Sequence, residues 1–450
     1  MADIDLLITG ATVVSSQGRR PAHVAVRDGR VLTLDGADLS AARTIDATGL
    51  LLLPGGVDTH VHLMDPGSTD REDFPSGTRA AAVSGVTTII EHSHGRPVRT
   101  VADLQEKAAY LRGRSNVDFA LAAHAWPGDT AAVAALRQAG AAFFKVFTCT
   151  THGIPGHDAA ALHAHLRASA EAGAVSLIHA EDESLTAAAE TLLRSAERHD
   201  PGIIPEWRNR DAEVVAAAVT ALLVRRTGAQ AAVAHVSHPE VARYIAAERG
   251  RGARLHAETC PQYLLLREDE VHAHGAFRKF TPPARARHEA DEAALWELLR
   301  DGGLTHISSD HAPSTAAQKT SGDIWDVHFG LPGLDSTMAV LLSAAARGMI
   351  SYEDIARLYS ETPARIYGLW PRKGRIAPGA DADLVLVDPT AKWTLRNADV
   401  FSKAGWTPYD GKEMTGRAVA TYSRGRLISE HGKPADERTG QIIAPGGPAA

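Results

Sequence analysis

The reading of the fold turns on residues 51–63, LLLPGGVDTHVHL, an apolar run broken at Pro54-Gly55-Gly56 and closed by His60 and His62. On a strand, a spacing of two puts both imidazoles on the same side. Seven later segments have the same form, a short apolar run ending in a polar or titratable residue. They are GVTTIIEHS (85–93), VDFALAAHA (117–125), AAFFKVFTC (141–149), AVSLIHAE (174–181), QAAVAHVSH (230–238), RLHAETC (254–260) and LTHISSD (304–310). Between them lie stretches of helical pattern such as Asp73–Ser84, Val101–Arg112 and Glu289–Arg300. Strand and helix alternating in this way predict an α/β protein with a parallel sheet closed into a (β/α)8 TIM-like barrel, its active site at the C-terminal ends of the strands.

Both flanks of this region read differently. Residues 3–34 form short alternating segments around Asp28-Gly29, a hairpin signal, and β patterns return after Lys373 in GRIAPGADADLVLVD and GRAVATYSRGRLISEHG, with a second turn at Arg424-Gly425. The simplest arrangement pairs the two ends into one small β-sandwich. The expected organisation is 1–54 and 374–440 as the two parts of the sandwich, 55–373 as the barrel, and 441–450 as a disordered tail.

Composition agrees with a large buried core: 450 residues, 44% hydrophobic and 22% charged. A net charge of -7 argues against nucleic acid or an anionic membrane as partner. No apolar run reaches the ~18 residues that a membrane span needs. Cys149 and Cys260 cannot build a disulfide framework, and the N-terminus carries no signal-peptide pattern, so a soluble cytoplasmic protein is expected. The 22 histidines are about twice the ordinary complement. Imidazole is the commonest transition-metal ligand, so their placement matters.

Six groups at predicted strand ends stand out. His60 and His62 suit two ligands on one metal, or else are a surface pair. Lys145 lies in an apolar strand, where a bare ammonium is costly. It either snorkels to the strand end or has taken up CO2 as a carbamate, whose two oxygens can bridge two metals. His179 and His235 each close an apolar strand and together supply nitrogens for a second metal, although either alone reads as an ordinary core or loop residue. Asp310 closes the last strand, with its carboxylate beside any metal-bound water.

These motifs, HVHLMDPG, FKVFT, IHAED, AHVSHP, ETCPQYLLL, SSDHAPST, GLPGL and RKGRIAPGADADLVLVDP in this order, resemble the cyclic amidohydrolases: dihydroorotase, allantoinase, and hydantoinase or dihydropyrimidinase. The resemblance covers nearly the whole chain. It implies a distorted barrel with a β-sandwich from both termini and a binuclear centre, usually zinc, for which manganese and iron are alternatives. The first metal would take His60, His62, Lys145 and Asp310. The second would take His179, His235 and the same lysine as N6-carboxylysine. The implied reaction is hydrolysis of a ring C–N bond in a cyclic ureide, imide or amide by a hydroxide shared between the metals, with Asp310 carrying the proton to the leaving nitrogen. Homodimers or homotetramers are common in the family, and Pro408–Gly411 resembles its PYxG element. A non-catalytic scaffold of the same fold and a hydrolase of linear amides are the competing readings.

Several positions depart from the relatives. Met64 stands where dihydroorotases carry an arginine for the substrate carboxylate and where allantoinases carry an asparagine. Thr150 replaces the hydantoinase tyrosine. Thr281 and Phe329 are expected to meet the ring through their main chains. Among the other histidines, His92, His94 and His124 are candidates for substrate contact, while His152, His157 and His328 are expected mainly at the surface. His238 and His311 are expected to orient ligands, and His163, His165, His272 and His274 to lie on solvated helices or loops. Cys149 reads as a packed thiol.

Overall fold

The computed structural model describes residues 3–446. Eight parallel strands form the barrel: β1 (Gly56–Val61), β2 (Val86–Glu91), β3 (Asp118–Leu121, continued by Ala123–His124), β4 (Phe144–Phe147), β5 (Val175–His179), β6 (Gln230–Val233), β7 (Leu255–Thr259) and β8 (His306–Ile307). Pairing runs β1-β2-β3 and then β3 through β8. The His62 N–H donates to the His311 carbonyl at 2.8 Å, joining the first strand to the last. Because both faces of each strand are covered, the strands are buried almost throughout rather than alternately, and the polar residues they carry, such as Asp58, His60, Lys145 and Glu258, are buried with them.

The helices begin and end where the sequence provides for it. Phe74–Ser84, the helix after β1, is capped by Asp73, whose side chain accepts from the Ser76 N–H, and stops at Gly85 with φ of 94°. Val101–Leu111 and Glu289–Arg300 follow β2 and β7.

The two ends of the chain share one nine-stranded sheet, in which Leu51–Pro54 pairs antiparallel with Leu384–Val387. Its core holds Leu6, Ile8, Val24, Val26, Leu52, Leu384, Leu386 and Tyr422. Both anticipated hairpin turns form with two consecutive positive φ angles, Asp28 and Gly29 at 53° and 74°, Arg424 and Gly425 at 46° and 72°. This geometry matches the twist of the flanking strands. Pro54-Gly55-Gly56 is where the chain leaves the sheet and enters the barrel. The side chain of Thr87 occupies the space that a Cβ on Gly55 would need.

The expectation of disorder from 441 onward is corrected over residues 441–446. Phe119 N–H donates to the Gln441 carbonyl at 2.9 Å and Ile443 N–H to the Phe119 carbonyl at 2.8 Å, and the Ile443 side chain is buried against the barrel. The apolar Ile443 side chain, five residues from the nearest charge at Arg438, docks the segment. The remainder of that expected tail, residues 447–450, lies outside the described residues. Both cysteines are buried and free, and among the described residues no helix is long and apolar enough to cross a membrane. Pro408 and Tyr409 of the PYxG-like element are buried in the chain's own core, where the Pro408 carbonyl faces Arg278.

Candidate metal centre

All six groups meet in one cleft at the C-terminal mouth of the barrel. His60 Nε2 lies 3.1 Å from Lys145 Nζ and 3.2 Å from Asp310 Oδ1, and His62 Nε2 lies 3.5 Å from the same oxygen. On the other side of the lysine, His179 Nδ1 and His235 Nε2 are 3.0 Å apart. The His60 and His235 ring centroids are 5.3 Å apart, so the two groups adjoin. His235 and Asp310 both have positive φ, 41° and 48°. Left-handed backbone at a non-glycine residue is strained, and such strain collects where side chains must be aimed.

The second ring nitrogens are held from behind. His60 Nδ1 lies 2.6 Å from Glu258 Oε1, His62 Nδ1 3.1 Å from the His92 carbonyl, and His179 Nε2 2.8 Å from Glu181 Oε2. With their N–H groups directed at these acceptors, the rings turn their lone pairs inward. Burial pushes His62 and His235 well below the usual histidine range and His179 down to about 4, so these three rings are neutral. Three imidazoles with their second nitrogens held, a fourth beside them, and a carboxylate within 3.2–3.5 Å of two of them form a donor set that fits divalent cations.

Lys145 is 1% exposed, and burial lowers its ammonium pKa to about 8. Burial raises Asp310 above the ordinary carboxylate range. Glu181 belongs to a buried charge network, in which Arg208 Nη1 lies 3.1 Å from Oε2, Arg285 Nη2 2.6 Å from Oε1, and Thr281 Oγ1 donates to Oε2 at 2.9 Å. Against the burial that would raise it, Arg208, His179 and Arg285 hold the Glu181 carboxyl well below the usual range. Arg285 continues to Glu213 at 2.6 Å.

Of the residues expected to meet substrate, Thr281 and Phe329 line the cleft. Met64 does not. It is buried with φ of 57°, and its N–H donates to Ser93 Oγ at 2.7 Å. Thr150 is exposed away from the wall, with its N–H bonded to the Glu183 carboxylate. The chain turns sharply after β4 and carries His152 to the wall instead. His152 stacks on His94 with centroids 4.4 Å apart and planes 7° apart, and both rings line the cleft.

His92 and His124 are buried, and both nitrogens of each lack a protein partner. The His92 ring lies 4.7 Å from His60 and 4.4 Å from His62, and the three residues offer nitrogens within 4.8 Å of one another. His157 is buried, contrary to expectation, because its Nδ1 is held 3.1 Å from the Phe147 carbonyl. His328 is exposed. His165 is likewise corrected: it is buried, 3.0 Å from Ser176 Oγ. His311 Nε2 faces Glu72 at 3.3 Å, and its Nδ1 accepts from the Gly333 and Leu334 N–H groups at 3.0 and 3.3 Å. His238 lies 3.6 Å from Glu213.

Sequence reasoning missed Glu258, Glu181, Arg208 and Arg285. Glu181 alone left a trace, two residues after His179 in IHAED, a spacing that returns its side chain to the same face.

The family description "Amidohydrolase family" matches residues 51–408. An allantoinase of Rubrobacter xylanophilus is 36% identical over 99% of this chain and 98% of its own length. An L-hydantoinase of Paenarthrobacter aurescens is 31% identical over 95% of each chain, and a dihydroorotase of Halobacterium salinarum is 35% identical over 85% of this chain and 90% of its own. Among solved structures, the L-hydantoinase (dihydropyrimidinase) of Arthrobacter aurescens superposes with a TM-score of 0.93 at 30% identity, covering 98% of this chain and all of that one. The chain belongs to the amidohydrolase family. Within it, the chain falls in the branch of the cyclic amide hydrolases, among the allantoinases, hydantoinases and dihydroorotases.

Proposed function

We propose that this protein hydrolyses a ring C–N bond of a cyclic ureide or imide of the allantoin or hydantoin type. The observation that carries the reading is the convergence of His60, His62, Lys145, His179, His235 and Asp310 on one cleft, with three of the four imidazoles oriented from behind. His60, His62, Asp310 and carboxylated Lys145 would hold one divalent cation, and His179, His235 and the same carbamate a second, zinc being the first choice. When bound, such a pair supplies a water acidic enough to attack at neutral pH and a Lewis acid for the scissile carbonyl.

The residues do the rest. With its pKa near 8, about one Lys145 in ten is a neutral amine at pH 7. Its Nζ lone pair forms the bond to the carbon of CO2, one proton leaves, and the cation becomes an anion suited to the site. Asp310, whose pKa burial raises, takes the proton of the attacking water on its carboxylate and delivers it to the departing ring nitrogen. Thr281 commits its hydroxyl to Glu181, which leaves its main chain, with that of Phe329, for the ring.

Although Met64 itself lies off the cleft, residue 64 supplies no cation for a carboxylate substituent on the ring. An apolar side chain stands where the dihydroorotase-like reading needs a cation, so dihydroorotate loses a charge-assisted pair. The decisive experiment is a turnover screen of metal-loaded protein against allantoin, hydantoins, dihydropyrimidines, cyclic imides and dihydroorotate. Mass spectrometry should report a product heavier by one water. Failure to open any ring with both cations bound, or full activity after Lys145→Ala, refutes the reading. Assembly as a homodimer or homotetramer is proposed with it, and light scattering of the purified protein checks it.

A further inference from the structure

Among the described residues, two lysines lie inside the protein with no carboxylate in ion-pair contact, although Asp326 and Asp323 lie near enough to Lys279 to favour its charge. Lys279 and Lys319 are each 1% exposed, and among the described residues neither ammonium pairs with an acid. Both donate to main-chain carbonyls instead. Lys279 Nζ bonds the carbonyls of Ile324 and Trp325 at 2.5 and 3.0 Å. Lys319 Nζ bonds those of His328 and of Lys279 itself, each at 2.9 Å. The Lys279 carbonyl also accepts the Gly330 N–H at 3.1 Å. One compact knot therefore grips residues 324–330 at both ends.

That segment is a single layer of cleft wall. Phe329 and Gly330 face the cleft, while Asp326 and His328 on the same segment are exposed. Among the described residues no helix or strand hydrogen-bonds it in place between Ile324 and Gly330. The Phe329 ring lies 4.6 Å from Lys279 Nζ, with the cation on its face. At Gly330, φ is 122° and a Cβ would stand 2.0 Å from the Ala312 carbonyl oxygen, so the wall is pressed flat against the segment that follows Asp310. A buried ammonium is an unusual choice where a neutral donor would serve. It supplies three N–H groups from one atom, enough to gather carbonyls that converge on a point.

We infer that Lys279 and Lys319 are positioning residues that set the ring-facing wall of the cleft by tethering the main chain of residues 324–330, and so govern the binding and orientation of the cyclic substrate rather than the bond-breaking step. The functional half of this inference rests on the reading given under Proposed function. The tether itself does not.

Lys319→Met and Lys279→Met remove the donors, and Lys319→Gln and Lys279→Gln keep neutral N–H groups. Each is compared with the parent by steady-state kinetics on the best substrate of the panel, by metal content, and by amide hydrogen exchange over residues 320–332. The Met variants should raise KM at least about tenfold with kcat within about threefold. Bound metal should be unchanged, and exchange of the 324–330 amides should quicken at least about tenfold. The Gln variants should recover part of both changes, and they carry the test if a Met variant does not fold. Unchanged exchange over 324–330 overturns the tether. A fall in kcat with KM unchanged overturns the role in substrate binding. Should the parent open no ring of the panel, the functional reading fails by itself, and the exchange data still decide the tether.

Discussion

Glu258→Gln tests whether the centre is built from its rear wall forward. The Glu258 carboxylate is fully buried, with Oε1 2.6 Å from His60 Nδ1 and 3.2 Å from the His235 N–H, and Oε2 3.5 Å from His306 Nε2. Against burial, the His60 and His306 rings hold it well below the ordinary carboxylate range. Glutamine preserves shape and one acceptor but removes the charge. A charge-assisted hydrogen bond contributes about 1.5–3 kcal/mol and a neutral one about half of that. The loss of about 1–1.5 kcal/mol of orienting energy corresponds to about tenfold weaker binding of the cation at His60. Glu258→Ala, which leaves two buried N–H groups without an acceptor, should cost up to about 100-fold. Competition with a chromogenic chelator measures both. Because the folded-state pKa is depressed, Glu258 contributes stability that is fully present above the unfolded value of about 4.3 and is lost as pH falls below it. The stability gap between parent and E258Q should narrow in acid in the same way. Cation affinity in E258Q within twofold of the parent would refute the argument, since His60 would then be oriented by something other than this carboxylate.

Three other perturbations follow from the same geometry. Lys373 Nζ is buried among Asp118, Asp383 and Asp381 at 2.5, 2.8 and 2.9 Å, so Lys373→Met should cost about 3–5 kcal/mol in urea unfolding. That loss should shrink toward pH 4, where the orphaned carboxylates take up protons, and a pH-independent loss would contradict it. Metal-stripped, CO2-free protein supplied with metal and a fixed concentration of dissolved CO2 should reactivate about tenfold faster per pH unit up to pH 8 and then level off, following the neutral amine of Lys145. A rise continuing to pH 10 would mean an ordinary lysine. Gly330→Ala forces a side chain onto the Ala312 carbonyl at a φ that suits glycine, and should lower the melting temperature by an amount equivalent to about 1–3 kcal/mol. A melting curve matching the parent's would show that the wall moves freely.

The barrel was legible because its signals are local. Each strand is a short run that both faces of the sheet can bury, and five of the eight carry a candidate site residue, at or just past the end of the run for His60, His179, His235 and Asp310 and within it for Lys145. The hairpin dipeptides and the capped helix after β1 were equally readable, since turn and cap chemistry depend on neighbours within a few residues. What lay beyond the sequence is whatever depends on residues far apart in the chain meeting across the barrel mouth. Nothing near Glu258 marks it as the partner of a histidine 198 positions away, nor Arg285 as the cation between Glu181 and Glu213. The loop after β4 carries Thr150 outward and His152 inward, a choice made by the path of a few irregular residues and invisible to periodicity. The sequence by itself determined which chemical groups stand at the strand ends, because strand period and burial are nearest-neighbour matters. Only the tertiary structure decided how each group is oriented and which loop residues face the cleft, because those depend on long-range pairing in a buried interior where an unpaired polar atom is costly.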